Sequence, residues 1–387
     1  MTAIQQDHHT TRRAARLMFL TTGVFWFSQY AITPFLNAEL KRMGANAAFM
    51  GLMAGLYGLS QMLLRIPLGM AADRMGRQKP FIILGCGLLT LAGFGFLLWY
   101  TPGSFLLLRA LMGIASSAWV SFTVLYGSYY PSNEAPRRIS QLNVANQSGR
   151  LLCYAAGAWA VAAWGVRAAF WLCALSAALS FIMSLMVHET AKPGQRTTLG
   201  SLREVARDPY MQRTALLGIL TQIVAFSTYI SFAVNLAIRL GAQEAELSVL
   251  NIALMVPTVL ASILMSGWML RKIPVRFILM IGFLSAALYC LLAPLAGSML
   301  QLYLCQVLGG IASACTFGTL LGQCVRDIPP ERRAAGMGLF QAVYGIGMTL
   351  GPVMMGIMID WMGLNISYFV IGAVALFSAW LSVRLMR

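Results

Sequence analysis

Carboxylates and imidazoles are scarce in this chain: twelve Asp and Glu and three His among 387 residues. Charged residues make up 10% of it, while 59% are hydrophobic. A soluble domain carries about 25% charge, and so few polar groups cannot cover a water-facing surface. His8, His9 and His188 lie outside the long apolar runs, and every acid sits in a loop or at the end of a run. H-E-x-x-H, G-x-S-x-G and G-x-x-x-x-G-K-[ST] are absent. An enzyme working inside a bilayer wants a carboxylate, an imidazole or a metal at depth. Neither an enzyme nor a cofactor or metal site is therefore expected. The seven Cys lie in or at the ends of apolar runs and form no C-x-x-C pair, so packing is expected of them rather than zinc or disulfides.

Apolar runs long enough to cross a bilayer as helices, about 20 residues each, are what the chain has instead. Twelve are read: 17–35, 49–70, 80–100, 105–126, 141–164, 168–187, 215–236, 248–269, 277–296, 299–322, 335–359 and 366–383. The first follows Arg12, Arg13 and Arg16 with no small-residue cleavage site, so it reads as a retained span. The net charge of +16 does not point to nucleic acid, because its placement alternates. With the amino terminus inside, 21 of the 28 Lys and Arg fall in cytoplasmic segments. Lys41, Arg42, Arg167 and Arg239 fall outside, and Arg65, Arg109 and Arg150 lie within spans. This positive-inside bias puts both termini in the cytoplasm of a multi-pass protein in the inner, or plasma, membrane.

The chain repeats itself. RALMGIAS at 109–116 returns as QVLGGIAS at 306–313, an offset of 197. EAPRRIS at 134–140 and PPERRAA at 329–335 each place an Arg pair before a span, and Gly69 finds Gly267. Two six-span halves in parallel orientation follow: 1–187 and 214–387, joined by a polar cytoplasmic linker at 188–213. Pro193 and Gly194 break that linker, and SLREVARD within it suits a short surface helix.

Polar side chains at helical spacing mark spans that face a wet interior. The first span carries Thr22, Trp26, Gln29, Tyr30, Thr33 and Asn37; the fifth carries Asn143, Asn146, Gln147, Arg150 and Tyr154. The seventh has Thr221, Gln222, Thr228, Ser231 and Asn235, the eighth Asn251, Thr258, Ser262 and Ser266, and the eleventh Gln341. The third, sixth, ninth and twelfth spans have no Asn, Gln or charge inside them and read as lipid-facing supports. Helix-to-helix glue is the competing explanation for any single one of these polar residues.

Between the second and third spans lies Gly69-x-x-Ala72-Asp73-Arg74-x-Gly76-Arg77-x-Lys79. This resembles the signature loop of the major facilitator superfamily, and Arg109-x-x-x-Gly113 is similar to its second motif. The resemblance implies an all-α fold of twelve membrane helices in two six-helix bundles that alternate their access to a central cavity. It implies that Gly69 lets another helix approach closely. It also implies that Asp73, with Arg74 and Arg77, latches the bundles in the outward-open state against the start of the eleventh span, near Ala335 and Gly336. Two departures stand out. The matching turn in the second half reads Gly267-Trp-Met-Leu-Arg271-Lys272, with a base where the acid should be. The Gly-Pro step that similar antiporters carry in the fifth span stands in the eleventh here, at Gly351-Pro352.

The expected function is secondary transport of a small organic solute carrying an anionic group. Arg150 is the leading anion anchor, because a cation at span depth costs about 2.5–3.5 kcal/mol on insertion scales and no span interior offers it a carboxylate. Arg109 is the second candidate. Gln29, Tyr30, Asn146, Gln147, Tyr154, Gln222, Asn235, Asn251 and Gln341 are candidates to line the site. The protein's partners are then its small-molecule substrate and the lipid bilayer, and a monomer is expected. Proton coupling stays open, with Asp73 and Asp360 as edge carboxylates that could titrate. A proton-coupled exporter of drugs or metabolites is the rival transporter, and a receptor or scaffold on the same fold is the non-transport rival.

Overall fold

The computed structural model describes residues 3–131, 134–189, 199–264, 272–329 and 332–386. Pro193, Gly194, Ser266 and the Gly267 to Arg271 turn lie outside them. Helices make up nearly everything described: α1 (Ala3–Ala31), α2 (Leu36–Arg42), α3 (Ala47–Met75), α4 (Lys79–Leu98), α5 (Pro102–Ser117), α6 (Trp119–Ser128), α7 (Ala135–Trp164) and α8 (Arg167–Met186). The order continues with α9 (Leu199–Ala206), α10 (Pro209–Ser227), α11 (Ala233–Arg239), α12 (Glu244–Leu264), α13 (Val275–Leu292), α14 (Met299–Ser313), α15 (Thr319–Gln323), α16 (Arg333–Met362) and α17 (Leu364–Leu385). No strand occurs among the described residues. SLREVARD is indeed helical, as α9.

Nine segments among the described residues are long and apolar enough to span a membrane by length and composition. The other three spans read from the sequence coincide with α1, α7 and α10. These are the more polar ones, with Arg150 and its amide neighbours on α7. Four spans are interrupted where the sequence suggested continuous helices, the fourth span at Ala118 between α5 and α6. Pro34 follows the end of α1, and α2 resumes two residues on. The seventh span breaks in the same way between α10 and α11. The tenth contains a π-helical turn, Ala314–Gly318, between α14 and α15.

The chain divides into two compact units. The first comprises residues 1–33 and 63–198; the second comprises 34–62 and 199–387. Helix α3 is thus shared between them, its first half counted with the second unit.

In the first unit α1 packs on α7 and α4 on α8; in the second α10 packs on α16 and α13 on α17. These are spans one with five, three with six, seven with eleven and nine with twelve, so the sequence repeat is a repeat of packing. The four predicted supports present large apolar residues outward along helical stripes: Leu175, Leu179 and Ile182 on α8, and Leu284, Leu288 and Leu291 on α13, are exposed. Their hydroxyls mostly bond back to their own helix, as Thr90 to the Cys86 carbonyl and Ser378 to the Val374 carbonyl do. Ser285 is an exception and donates to the Leu308 carbonyl of α14.

Within the second unit, the first half of α3 lies on α16 along a row of glycines. A Cβ placed on Gly51 would stand 2.2 Å from the Pro352 carbonyl oxygen. One on Gly55 would stand 2.7 Å from the Thr349 oxygen, and one on Gly58 would be 2.9 Å from the Met348 Cβ. The two backbones touch because no side chain separates them. At the end of this seam Asp360 accepts from the Ala47 and Ala48 amides, at 3.0 and 2.9 Å, and so satisfies two orphan donors of the α3 amino terminus.

Candidate functional site

The signature loop begins where α3 ends. Gly76 has φ +63, the left-handed conformation that ends a helix at little cost only for glycine. The Gly76 amide bonds to the Asp73 carbonyl and the Arg77 amide to the Ala72 carbonyl, both at 3.3 Å, which closes the helix end. Asp73 Oδ1 lies 3.4 Å from Gln78 Nε2. At Gly69, among the described residues, a Cβ would meet Val120 Cγ1 at 3.6 Å, an ordinary contact. Glu189, after α8, accepts from the Gln78 and Lys79 amides, so an acid from the far end of the first unit caps α4.

The candidate substrate residues of the first unit assemble on α1, α5 and α7. Gly149 makes this possible: a Cβ on it would fall 2.2 Å from the Gly23 carbonyl oxygen, so α1 and α7 run in backbone contact. The two helices are parallel, and Tyr30 lies beside the next turn of α7. There the Arg150 guanidinium stands 4.1 Å over the Tyr30 ring centroid. Arg150 Nη1 is 3.4 Å from Gln147 Oε1. Tyr154 meets Tyr30 edge-on at 6.3 Å. Arg150, Tyr30, Gln147 and Tyr154 are therefore brought together.

No ion pair among the described residues involves Arg150. Its buried Nε has no hydrogen-bond partner there, and neither does Asn146 Oδ1. A cation–π contact recovers roughly 0.5–2 kcal/mol, less than the roughly 2.5–3.5 kcal/mol that a cation costs at span depth. The arrangement is a positive group held in place with donor capacity to spare.

Gln29 and Arg109 meet one turn of α5 instead. Gln29 is 2% exposed and donates to the Met112 carbonyl at 2.9 Å, while its Oε1 stays unpartnered among the described residues. Arg109 is 8% exposed, with Nη1 3.8 Å from Met112 Sδ. Asn143, on the same predicted stripe as Arg150, is exposed.

The second unit's candidates are spread over several contacts among the described residues. Asn251 donates to the Leu247 carbonyl of its own helix, and Thr258 and Ser262 bond back in the same way further along α12. Gln222 packs beside Gly347 at the α10–α16 contact. Gln341 is half-buried on α16. Asn235 faces Asn37: Asn37 Nδ2 donates to the Ser231 carbonyl at 2.8 Å and lies 3.3 Å from Asn235 Oδ1. The two asparagines are 198 residues apart, so corresponding positions of the two repeats touch. Nearby, Arg42 bridges Glu39, at 2.7 Å, and Glu244. Glu39 is 1% exposed, and burial pushes its carboxyl above the ordinary range, more than the Arg42 charge pulls it down.

Sequence reasoning passed over Glu39, Trp119 and the α3–α16 seam. The Gly51-x-x-x-Gly55 spacing was a readable signal for the seam. Nothing local marks Trp119, which reaches Trp26 of α1 edge-on at 5.5 Å.

Comparison with known proteins agrees with the fold. The model of the Major Facilitator Superfamily matches residues 18–239 and again 214–387. The multidrug resistance protein MdtG of Escherichia coli is 24% identical over 392 residues, covering 95% of this chain and 93% of that protein. An uncharacterized MFS-type transporter of Methanocaldococcus jannaschii is 23% identical over 91% of this chain and 92% of its own length. Among solved structures, a bacterial homologue of the human lysosomal transporter Spinster superposes with a TM-score of 0.80 at 16% identity, covering 98% of this chain and 97% of its own. The chain, a multi-pass membrane protein of twelve helical spans with the signature loop after its second, belongs to the Major Facilitator Superfamily of transporters.

Proposed function

We propose that the protein is a secondary transporter moving a small organic solute with an anionic group across the cytoplasmic membrane by alternating access. Arg150 carries this reading: a guanidinium at span depth, stacked on Tyr30, with its Nε donor unspent and no carboxylate partner among the described residues. The planar fork of Arg suits a carboxylate or phosphate. In this reading both termini are cytoplasmic, the division into 1–187, 188–213 and 214–387 separates the moving halves, and Asp73 with Arg74 and Arg77 forms a cytoplasmic latch.

A second reading, a proton-coupled exporter of drugs or metabolites, is favoured by the likeness to MdtG. The experiment is uptake into proteoliposomes of matched anionic and neutral solutes, with and without a pH gradient, for the wild type, Arg150→Gln and Arg150→Lys. Anion uptake should fall in Arg150→Gln and partly survive in Arg150→Lys. Uptake of neutral solutes alone, unchanged in Arg150→Gln, would refute the anion site.

A further inference from the structure

Aromatic rings crowd the turn on which Arg150 rests. Trp26 stacks on Tyr30, with centroids 5.8 Å apart and planes 26° apart. Trp119 and Phe25 meet Trp26 edge-on, each at 5.5 Å. With Tyr154 edge-on to Tyr30, four rings that carry polar atoms form one continuous run, and the Arg150 guanidinium lies over one of them, Tyr30.

A purely structural aromatic core would satisfy those polar atoms, because a buried indole N–H without an acceptor is costly. Trp26 is 5% exposed, yet its Nε1 has no acceptor among the described residues. The unpartnered atoms come in complementary kinds. Trp26 Nε1 and Arg150 Nε are donors, while Gln29 Oε1 and Asn146 Oδ1 are acceptors. Three sit within successive turns of α1 and its contact with α7, and the fourth is Arg150 itself.

The geometry points to an aromatic or heteroaromatic anion as the solute. Its acidic group takes the Arg150 and Trp26 donors, a ring N–H or O–H donates to the Asn146 amide oxygen, and its planar face lies against Trp26. This rests on reading Arg150 as the anion anchor and adds to it the ring and the donor. An aliphatic anion of the same size would meet the charge but leave the ring face unmatched.

The test is binding to the purified full-length protein, followed by tryptophan fluorescence and calorimetry, with three probes: 4-hydroxybenzoate, 4-hydroxycyclohexanecarboxylate and 4-hydroxybenzamide. The aromatic acid should bind about tenfold tighter than the cyclohexane acid, the difference an aromatic contact supplies, and tighter than the neutral amide. Trp26→Phe should weaken the aromatic acid but keep its preference over the cyclohexane acid; Trp26→Leu should abolish that preference. Equal binding of the two acids would overturn the aromatic inference and leave the anion reading standing. Binding of the amide as tight as the acid would overturn the anion reading instead. No binding of the aromatic acid at millimolar concentration would overturn the inference outright. All three probes are compared on the wild type, so the comparison holds even if a Trp26 variant fails to fold.

Discussion

Adding one methyl group to the α3–α16 seam should destabilise the fold. In Gly51→Ala the new Cβ would stand 2.2 Å from the Pro352 carbonyl oxygen, 3.0 Å from the Pro352 carbonyl carbon and 3.3 Å from Gly356 Cα. All three are backbone atoms, so no side chain can swing aside. Ordinary contact begins at 3.4 Å, and the backbones must part by roughly 1 Å to reach it. Overpacking of this kind costs about 1–3 kcal/mol. Alanine is the better helix former by up to about 1 kcal/mol, so the clash should win and the sign of the change is a test. Gly103→Ala on α5 is the control, because nothing lies within 4 Å of the added group and its φ is not left-handed. Thermal unfolding in one detergent should show Gly51→Ala lower by several degrees and Gly103→Ala unchanged or slightly higher. If Gly51→Ala matches Gly103→Ala, the seam is not a backbone contact and the reasoning from packing falls.

Three further outcomes follow. Asp360→Ala strands the Ala47 and Ala48 amides and should cost about 1–2 kcal/mol, the value of a lost helix cap, seen as a lower unfolding temperature. For Glu39 the folded state holds its proton more tightly than the unfolded chain, so stability is greatest in acid and declines as pH rises from about 4.3 through the raised value. Unfolding temperature against pH should show that decline in the wild type and lose it in Glu39→Gln; a wild type that gains stability over the same window would contradict burial as the dominant cause. Asn37→Ala and Asn235→Ala should each destabilise by about 1 kcal/mol and be non-additive in the double variant, since they share one contact; full additivity would mean the pair does not interact.

The spans were legible because twenty consecutive apolar residues have few other uses, and the repeat was legible because offsets survive where identities do not. The Arg150 group was also legible: helical spacing from Asn146 to Tyr154 puts these residues on one stripe, and a lone cation in an apolar run demands a reason. The breaks after α1 and α10 were less visible, since the turns between them keep apolar residues such as Phe35 and Phe232 buried. What the stripe pattern could not tell was which polar groups are spent. Asn251, Thr258 and Ser262 follow the same spacing as the α7 set, yet turn back onto their own carbonyls. Spacing reports a face, whereas hydrogen-bond capacity depends on rotamers and neighbours from distant sequence.

The closeness of α3 and α16 also offers a chemical handle. The Cβ position of Gly58 lies 2.9 Å from Met348 Cβ, and two cysteines bridge when their Cβ atoms are about 3.5–4.5 Å apart. A double Gly58→Cys, Met348→Cys variant therefore needs roughly an ångström of relaxation to form a staple on mild oxidation and release it with a thiol reductant. All seven native cysteines are buried, which keeps competing reactions low. Activity that stops with the staple closed and returns when it is cut would show that these two helices must separate in every working cycle.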